Sequence, residues 1–242
     1  MAAGLTPEAI LDVWERSRRL EPFDRAHHLR AALEPTVAPD VLLDETVGRR
    51  DAALVHGRMG TFGTEAECFV ECPRCGEPLE LTVDLARLVE GTGSPSPATG
   101  PHRVDGAGGT VTFRLPTTGD LAAVRDAADP RAALLDRCVL AVEPGPDAPE
   151  AGALDVEALD AAMAELDPLA DVELALTCAP CGHEWTARFD IASHLWGEVE
   201  AEAQRLIAEV DALARAYGWS EGEILALSAR RRQSYLERLG LV

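Results

Sequence analysis

Two short stretches of the chain repeat one pattern, Cys72-Pro73-Arg74-Cys75-Gly76 and Cys178-Ala179-Pro180-Cys181-Gly182. A single CxxC suits a redox dithiol as well as a metal. Two copies, each closed by a glycine that lets backbone amides curl around a sulfur, together offer the four thiolates of a structural zinc site. Four soft ligands in a tetrahedron favour zinc. A metal-free relic of such a site, an iron centre and disulfides are the competing readings. A zinc held by four cysteines leaves no open position for water. The expected cofactor is therefore one structural Zn2+ held by Cys72, Cys75, Cys178 and Cys181, not a catalytic metal.

The likeness extends beyond the cysteines at a constant offset. Phe69, Val70 and Cys72 correspond to Ala175, Leu176 and Cys178, and Leu79, Leu81 and Val83 to Trp185, Ala187 and Phe189. Asp84-Leu85-Ala86 corresponds to Asp190-Ile191-Ala192. Alternation with a period of two predicts strand, tight turn, strand in each copy, and each aspartate is placed to cap a following helix. Bringing the two copies together closes a loop of about 100 residues, an entropic cost that metal coordination offsets.

The elements around this split ribbon read as mostly helical. Thr6-Pro7 has the chemistry of a helix start, Pro22 interrupts, and a second helix follows from about Asp24. A helix over about 46–59 leads into the first ribbon strand, and a short helix over about 85–90 follows the second. Residues 91–109 are rich in Gly, Pro, Ser and Thr, which predicts a loop or disordered excursion. Val111–Leu115 alternates like a strand, Thr118 or Asp120 can cap a helix over about 120–127, and Pro130 opens another to about 141. Prolines 144, 146 and 149 predict a loop. A helix from Leu154 to Leu166 follows, with Leu154, Leu159 and Met163 inward. The strongest helical pattern runs over about 191–217, through Leu195, Val199, Leu206, Val210 and Leu213, and ends at Gly218. Ser220 and Glu223 form a capping-box pattern, and Ser228 can cap a last helix.

The expected fold class is α+β, mainly helical, with a split four-cysteine zinc ribbon and a long inserted segment between its halves. Residues 1–45 form an N-terminal helical segment and 46–90 a helix plus the first knuckle. Residues 91–173 are a flexible loop and small helical insert, and 174–242 the second knuckle and C-terminal helices. One compact domain is expected from 46 to 242.

The formal net charge is −20, and there is no lysine among the 22 basic residues. That removes a Walker lysine, a Schiff-base lysine and a lysine general base. So negative a chain is repelled by nucleic acid and by anionic membranes, so neither is an expected partner. No stretch is apolar for 18 residues and the N-terminus lacks a signal-peptide core, which predicts a cytoplasmic protein. Cys68 and Cys138 read as buried thiols. His27 and His28 lack a partner motif, and His194 has no nucleophile in sequence reach. With no G-x-S-x-G, H-E-x-x-H or dinucleotide fingerprint, the expectation is a non-enzyme without a small-molecule substrate. The one concentrated positive site, Arg230-Arg231-Arg232, has two readings: pairing with the protein's own acidic surface, or an interface together with Trp219 and Tyr235. The competing reading of Trp219 is a core plug at the helix corner.

Several segments in order resemble the T4-type phage baseplate assembly family, also found in phage-derived contractile injection systems. They are Arg49–Leu54 leading to Phe62-Gly63, the paired knuckles, Val111–Asp120, Leu134–Cys138, Phe189–Ile191 with Trp196, and Tyr217–Ser228 with Arg231, Arg232 and Tyr235. The resemblance covers most of the chain from about residue 46 onward. It implies a non-enzymatic subunit or assembly factor of a contractile-tail baseplate, with other baseplate or tail proteins as partners and incorporation into a phage-like tail particle. Zinc ribbons are not universal in that family, so the metal is read from the cysteines alone. The rival readings are a soluble zinc-ribbon adaptor unrelated to tails, and an enzyme whose site is built by the 110–173 insert.

Overall fold

The computed structural model describes residues 4–92, 100–106, 108–145 and 155–241. Most of the excursion at 91–99, the proline-rich stretch 146–154 and the inward candidate Leu154 lie outside them.

Ten α-helices and seven strands follow one another among the described residues. Helices α1 (Pro7–Ser17), α2 (Pro22–Leu33) and α3 (Val47–Phe62) come first. Thr6 caps α1 by accepting from the Ala9 N–H, and Thr46 caps α3 by accepting from Arg49 N–H. Both use the side-chain oxygen to satisfy an orphan donor of the first turn. Strands β1 (Glu65–Glu71) and β2 (Pro78–Asp84) form an antiparallel hairpin, followed by α4 (Leu85–Thr92). The insert holds β3 (His102–Gly106), β4 (Gly109–Phe113), α5 (Thr118–Val124), α6 (Pro130–Cys138), β5 (Val139–Pro144) and α7 (Val156–Leu166). A second hairpin, β6 (Val172–Thr177) and β7 (Glu184–Phe189), leads into α8 (Ile191–Tyr217), α9 (Glu221–Leu225) and α10 (Ala229–Arg238).

Helix α8 is the spine. Its buried face, Leu195, Val199, Ala203 and Leu206, meets Ile10 and Val13 of α1, Leu29 of α2 and Leu54 of α3 in the main core. The N-terminal helices, read from sequence as a separate segment, thus share the core of the ribbon and α8. A second core lies in the insert: Val111, Phe113 and Leu115 are buried with Leu159 of α7. A third, Leu213, Ile224 and Leu236, closes the C-terminal corner.

The insert departs most from expectation. It contains a three-stranded sheet ordered β3-β4-β5, where the sequence predicted one strand. β3 falls inside the stretch read as a loop, and β5 takes the residues read as the end of a helix. Strands five or six residues long give too little local periodicity to compete with loop-like or helix-like neighbours, and β5 pairs with β4 from across α5 and α6. The cap of α5 is Thr117, not Thr118 or Asp120. Asp120 is instead the reciprocal partner in a capping box, accepting from the Thr117 backbone N–H.

Candidate metal centre

Each knuckle is the turn of a hairpin, and the two turns have the same backbone plan. Cys72 N–H donates to the Glu77 carbonyl at 2.9 Å, and Gly76 N–H to the Cys72 carbonyl at 2.9 Å. In the second copy, Cys178 N–H donates to the His183 carbonyl and Gly182 N–H to the Cys178 carbonyl, both at 2.8 Å. Gly76 and Gly182 have φ of 74° and 67°, a left-handed conformation that a side chain resists, so the glycine after each second cysteine is a requirement of the turn. The strand registers also match: Val70 faces Leu79 in one hairpin and Leu176 faces Trp185 in the other. Asp84 accepts from Ala86 and Arg87 N–H, and Asp190 from Ala192 and Ser193 N–H, as the repeat predicted.

The two turns bring all four sulfurs within 4.8 Å of one another. Cys72 Sγ lies 3.7 Å from Cys181 Sγ, and Cys75 Sγ lies 3.6 Å from Cys178 Sγ. With zinc–sulfur bonds near 2.3 Å, a tetrahedron places its sulfurs about 3.8 Å apart, so the constellation fits one structural Zn2+. Cys72 and Cys178 are buried, Cys181 is half-buried and Cys75 is exposed. Burial would raise the Cys72 thiol, but backbone N–H groups of Arg74 and Cys75 and the neighbouring thiols outweigh it and lower it to about 7. The Cys181 N–H favours the Cys178 thiolate, but burial and the three neighbouring sulfurs push that thiol up to about 12. Four thiolates cannot share this space as bare anions; a divalent cation at their centre supplies the missing charge.

The ribbons sit beside the start of α8. Arg58 of α3 donates to both carboxylate oxygens of Glu198, at 2.6 and 2.9 Å. His194 of α8 lies 3.6 Å from Glu198, and its Nδ1 is 4.0 Å from Cys68 Sγ. Sequence reading missed this juxtaposition, because its members are 126 positions apart. Cys68 is half-buried, and burial raises its thiol, so it stays protonated and poorly nucleophilic. Cys138 is buried and its thiol is pushed by burial up to about 11. His183, next to the second knuckle, offers its carbonyl to Cys178 and stacks its ring on Trp185 at 5.8 Å.

At the other end of α8, Gly218 adopts φ 72° as the left-handed cap, and Ser220 and Glu223 form the expected capping box. Tyr217, Trp219 and Tyr235 stack mutually, with centroids 4.7 to 5.5 Å apart. Trp219 is half-buried against the third core, between the two roles the sequence allowed it. The three arginines separate. Arg230 and Arg231 are exposed, whereas Arg232 is 1% exposed. Arg232 donates to the buried Glu209 carboxylate and to the Leu227 carbonyl, both at 2.7 Å. Arg232 therefore holds the corner from within and is not presented to a partner.

Among the described residues no helix is long and apolar enough to cross a membrane. Comparison of the chain with protein-family models, with curated proteins and with solved structures yields no match.

Proposed function

We propose that this chain is a non-catalytic adaptor, a zinc-clamped scaffold that acts by presenting surfaces to other proteins. The observation that carries this reading is the four-cysteine constellation, whose sulfurs within 4.8 Å fill a tetrahedron and leave no position for substrate or water. The metal joins segments more than 100 positions apart, so its work is architectural. The Cys68–His194 pair does not offset this reading, because burial keeps the thiol protonated.

A second, narrower reading makes the partners baseplate or tail proteins of a contractile particle. What supports it is that stretches carrying the sequence resemblance meet in space. Arg114 donates to Asp120 at 2.8 Å, and Arg137, from the Leu134–Cys138 stretch, donates to the same carboxylate at 2.8 Å. Val47 N–H, two positions before the Arg49–Leu54 stretch, donates to the Pro116 carbonyl. Burial alone would raise the Asp120 carboxyl, but these arginines and the Thr117 N–H and hydroxyl hold it well below the usual carboxylate range.

Affinity capture with the zinc-loaded full chain tests both readings. The adaptor reading expects a stoichiometric protein partner that is lost when Cys178→Ser removes the metal. The narrower reading expects sheath, tube or hub proteins in that complex. Turnover of a substrate that survives Cys178→Ser would overturn the adaptor reading, and zinc-dependent partners from transcription or proteolysis would overturn the baseplate reading alone.

A further inference from the structure

Most arginines of this chain face a carboxylate of their own molecule, as Arg58 faces Glu198 and Arg232 faces Glu209. Arg230, Arg231 and Arg238 of α10 are exposed and have no carboxylate partner among the described residues. Arg18, Arg19, Arg25 and Arg74 also lack one, but in a chain with 42 acidic residues α10 alone among the described helices carries three such arginines. They lie beside aromatic rings. Arg231 and Arg238 stand four and three positions from Tyr235, on its side of the helix. Tyr235 packs on Trp219 and on Tyr217, which is 37% exposed.

The first ribbon carries the complementary surface. Phe69 is 71% exposed on the outer face of β1. Glu67 and Glu71 flank it on the same face, and Glu80 stands opposite it on β2; all three are exposed. An aromatic ring framed by three carboxylates is what a corner of arginines and aromatic rings would take, by arginine–carboxylate pairing and by stacking. The two surfaces cannot meet within one chain. The ribbon sits at the first turn of α8, where Cys68 reaches His194, and the corner follows its last residue. A helix of 27 residues holds them about 40 Å apart.

We infer that copies of this chain associate through a corner-to-ribbon contact, with the α10 arginines and the Tyr217–Trp219–Tyr235 stack of one copy on the Phe69 face of another. The contact goes beyond the adaptor reading, which stands or falls on other partners. Because donor and acceptor surfaces differ, the contact closes an antiparallel pair, closes a ring or runs on as an open filament, and the particle mass tells which. Two chains of formal charge −20 repel at low salt. Association should therefore be strongest at intermediate ionic strength, and weaken again when salt screens the contact itself.

Sedimentation velocity of the zinc-loaded full chain over a wide concentration series tests this. The wild type is expected to associate reversibly. R230E/R231E and, separately, E67R/E80R should each weaken self-association about tenfold or more, since each sets like charges against one another. Mixing the two variants restores opposite charges across the contact and should restore association. Zinc content and the thermal transition of each variant establish that it is folded. A wild type that stays monomeric throughout, an association that neither variant weakens, or a mixture that stays as weak as its components would overturn the inference.

Discussion

The two ends of α8 are secured by different chemistry. At its start, hairpin turns from distant parts of the chain meet in four sulfurs within 4.8 Å. At its end, α10 is fastened by one buried ion pair, Arg232 to Glu209 at 2.7 Å, with a small apolar core beneath it. A metal centre draws its strength from coordination bonds and tolerates exposure, as at Cys75. A buried ion pair merely balances its desolvation cost, and becomes expensive only when one partner is removed. The molecule thus uses metal where two thin, two-stranded hairpins offer little core, and a salt bridge where a helix can bury its partner.

Breaking the metal end should have the largest effect. Chelation or Cys178→Ser is expected to remove zinc and lower the thermal midpoint by more than about 10 °C, with hydrogen exchange accelerating first in β1, β2, β6 and β7. A variant whose ribbon amides stay protected without metal would contradict this. At the other end, Arg232→Ala leaves the buried Glu209 carboxylate with only the half-exposed Arg205 as its ion-pair partner and should cost about 1–3 kcal/mol. Denaturant melts would register that loss, and exchange would rise in α9 and α10 while zinc stoichiometry stayed at the wild-type value.

A third tie, in the insert, is neither metal nor fully buried. Asp120 joins Arg114, Arg137 and the Thr117 cap, and its folded carboxyl lies below the unfolded value of 3.8. A carboxyl depressed in the folded state contributes stability that is complete above the unfolded value and is lost as pH falls below it. Acid melts of the wild type should therefore weaken below about pH 4, and Asp120→Asn should flatten that dependence. The smallest effect is expected at the knuckle glycines. Gly76→Ala and Gly182→Ala meet open space but impose a left-handed residue, so each should cost about 1–2 kcal/mol, by a similar amount in both halves. Unequal costs would show that the two turns are not equivalent.

The same contrast explains what was legible in the sequence. The metal centre could be read because each ligand pair is local and each glycine has one conformational use. The constant offset between the copies matched Val70 to Leu176 and Leu79 to Trp185, and the structure pairs these residues alike, Val70 with Leu79 and Leu176 with Trp185. Helix α8 was legible from its apolar period, and both its caps from Asp190 and Gly218. Pairing of the arginine cluster with the chain's own carboxylates was one of its two sequence readings, but that Arg232 makes the pair was not legible, because Glu209 is 23 positions away and Arg230 and Arg231 look identical in sequence. Asp120 suggested only a cap, since the arginines that make it a node come from a strand edge and a separate helix. The sheet of the insert was hidden because β3 and β5 are stabilised by pairing with β4 and not by a pattern of their own.

One zinc ion at the four sulfurs joins the two knuckles. The most direct measurement is metal content together with the native mass of the freshly prepared, reduced full chain, for the wild type and for Cys72→Ser and Cys178→Ser. One zinc per wild-type chain is expected, and its loss when a cysteine from either knuckle is replaced. A reduced wild-type chain that is folded without metal, or a variant of one knuckle that keeps its full zinc content, would contradict it.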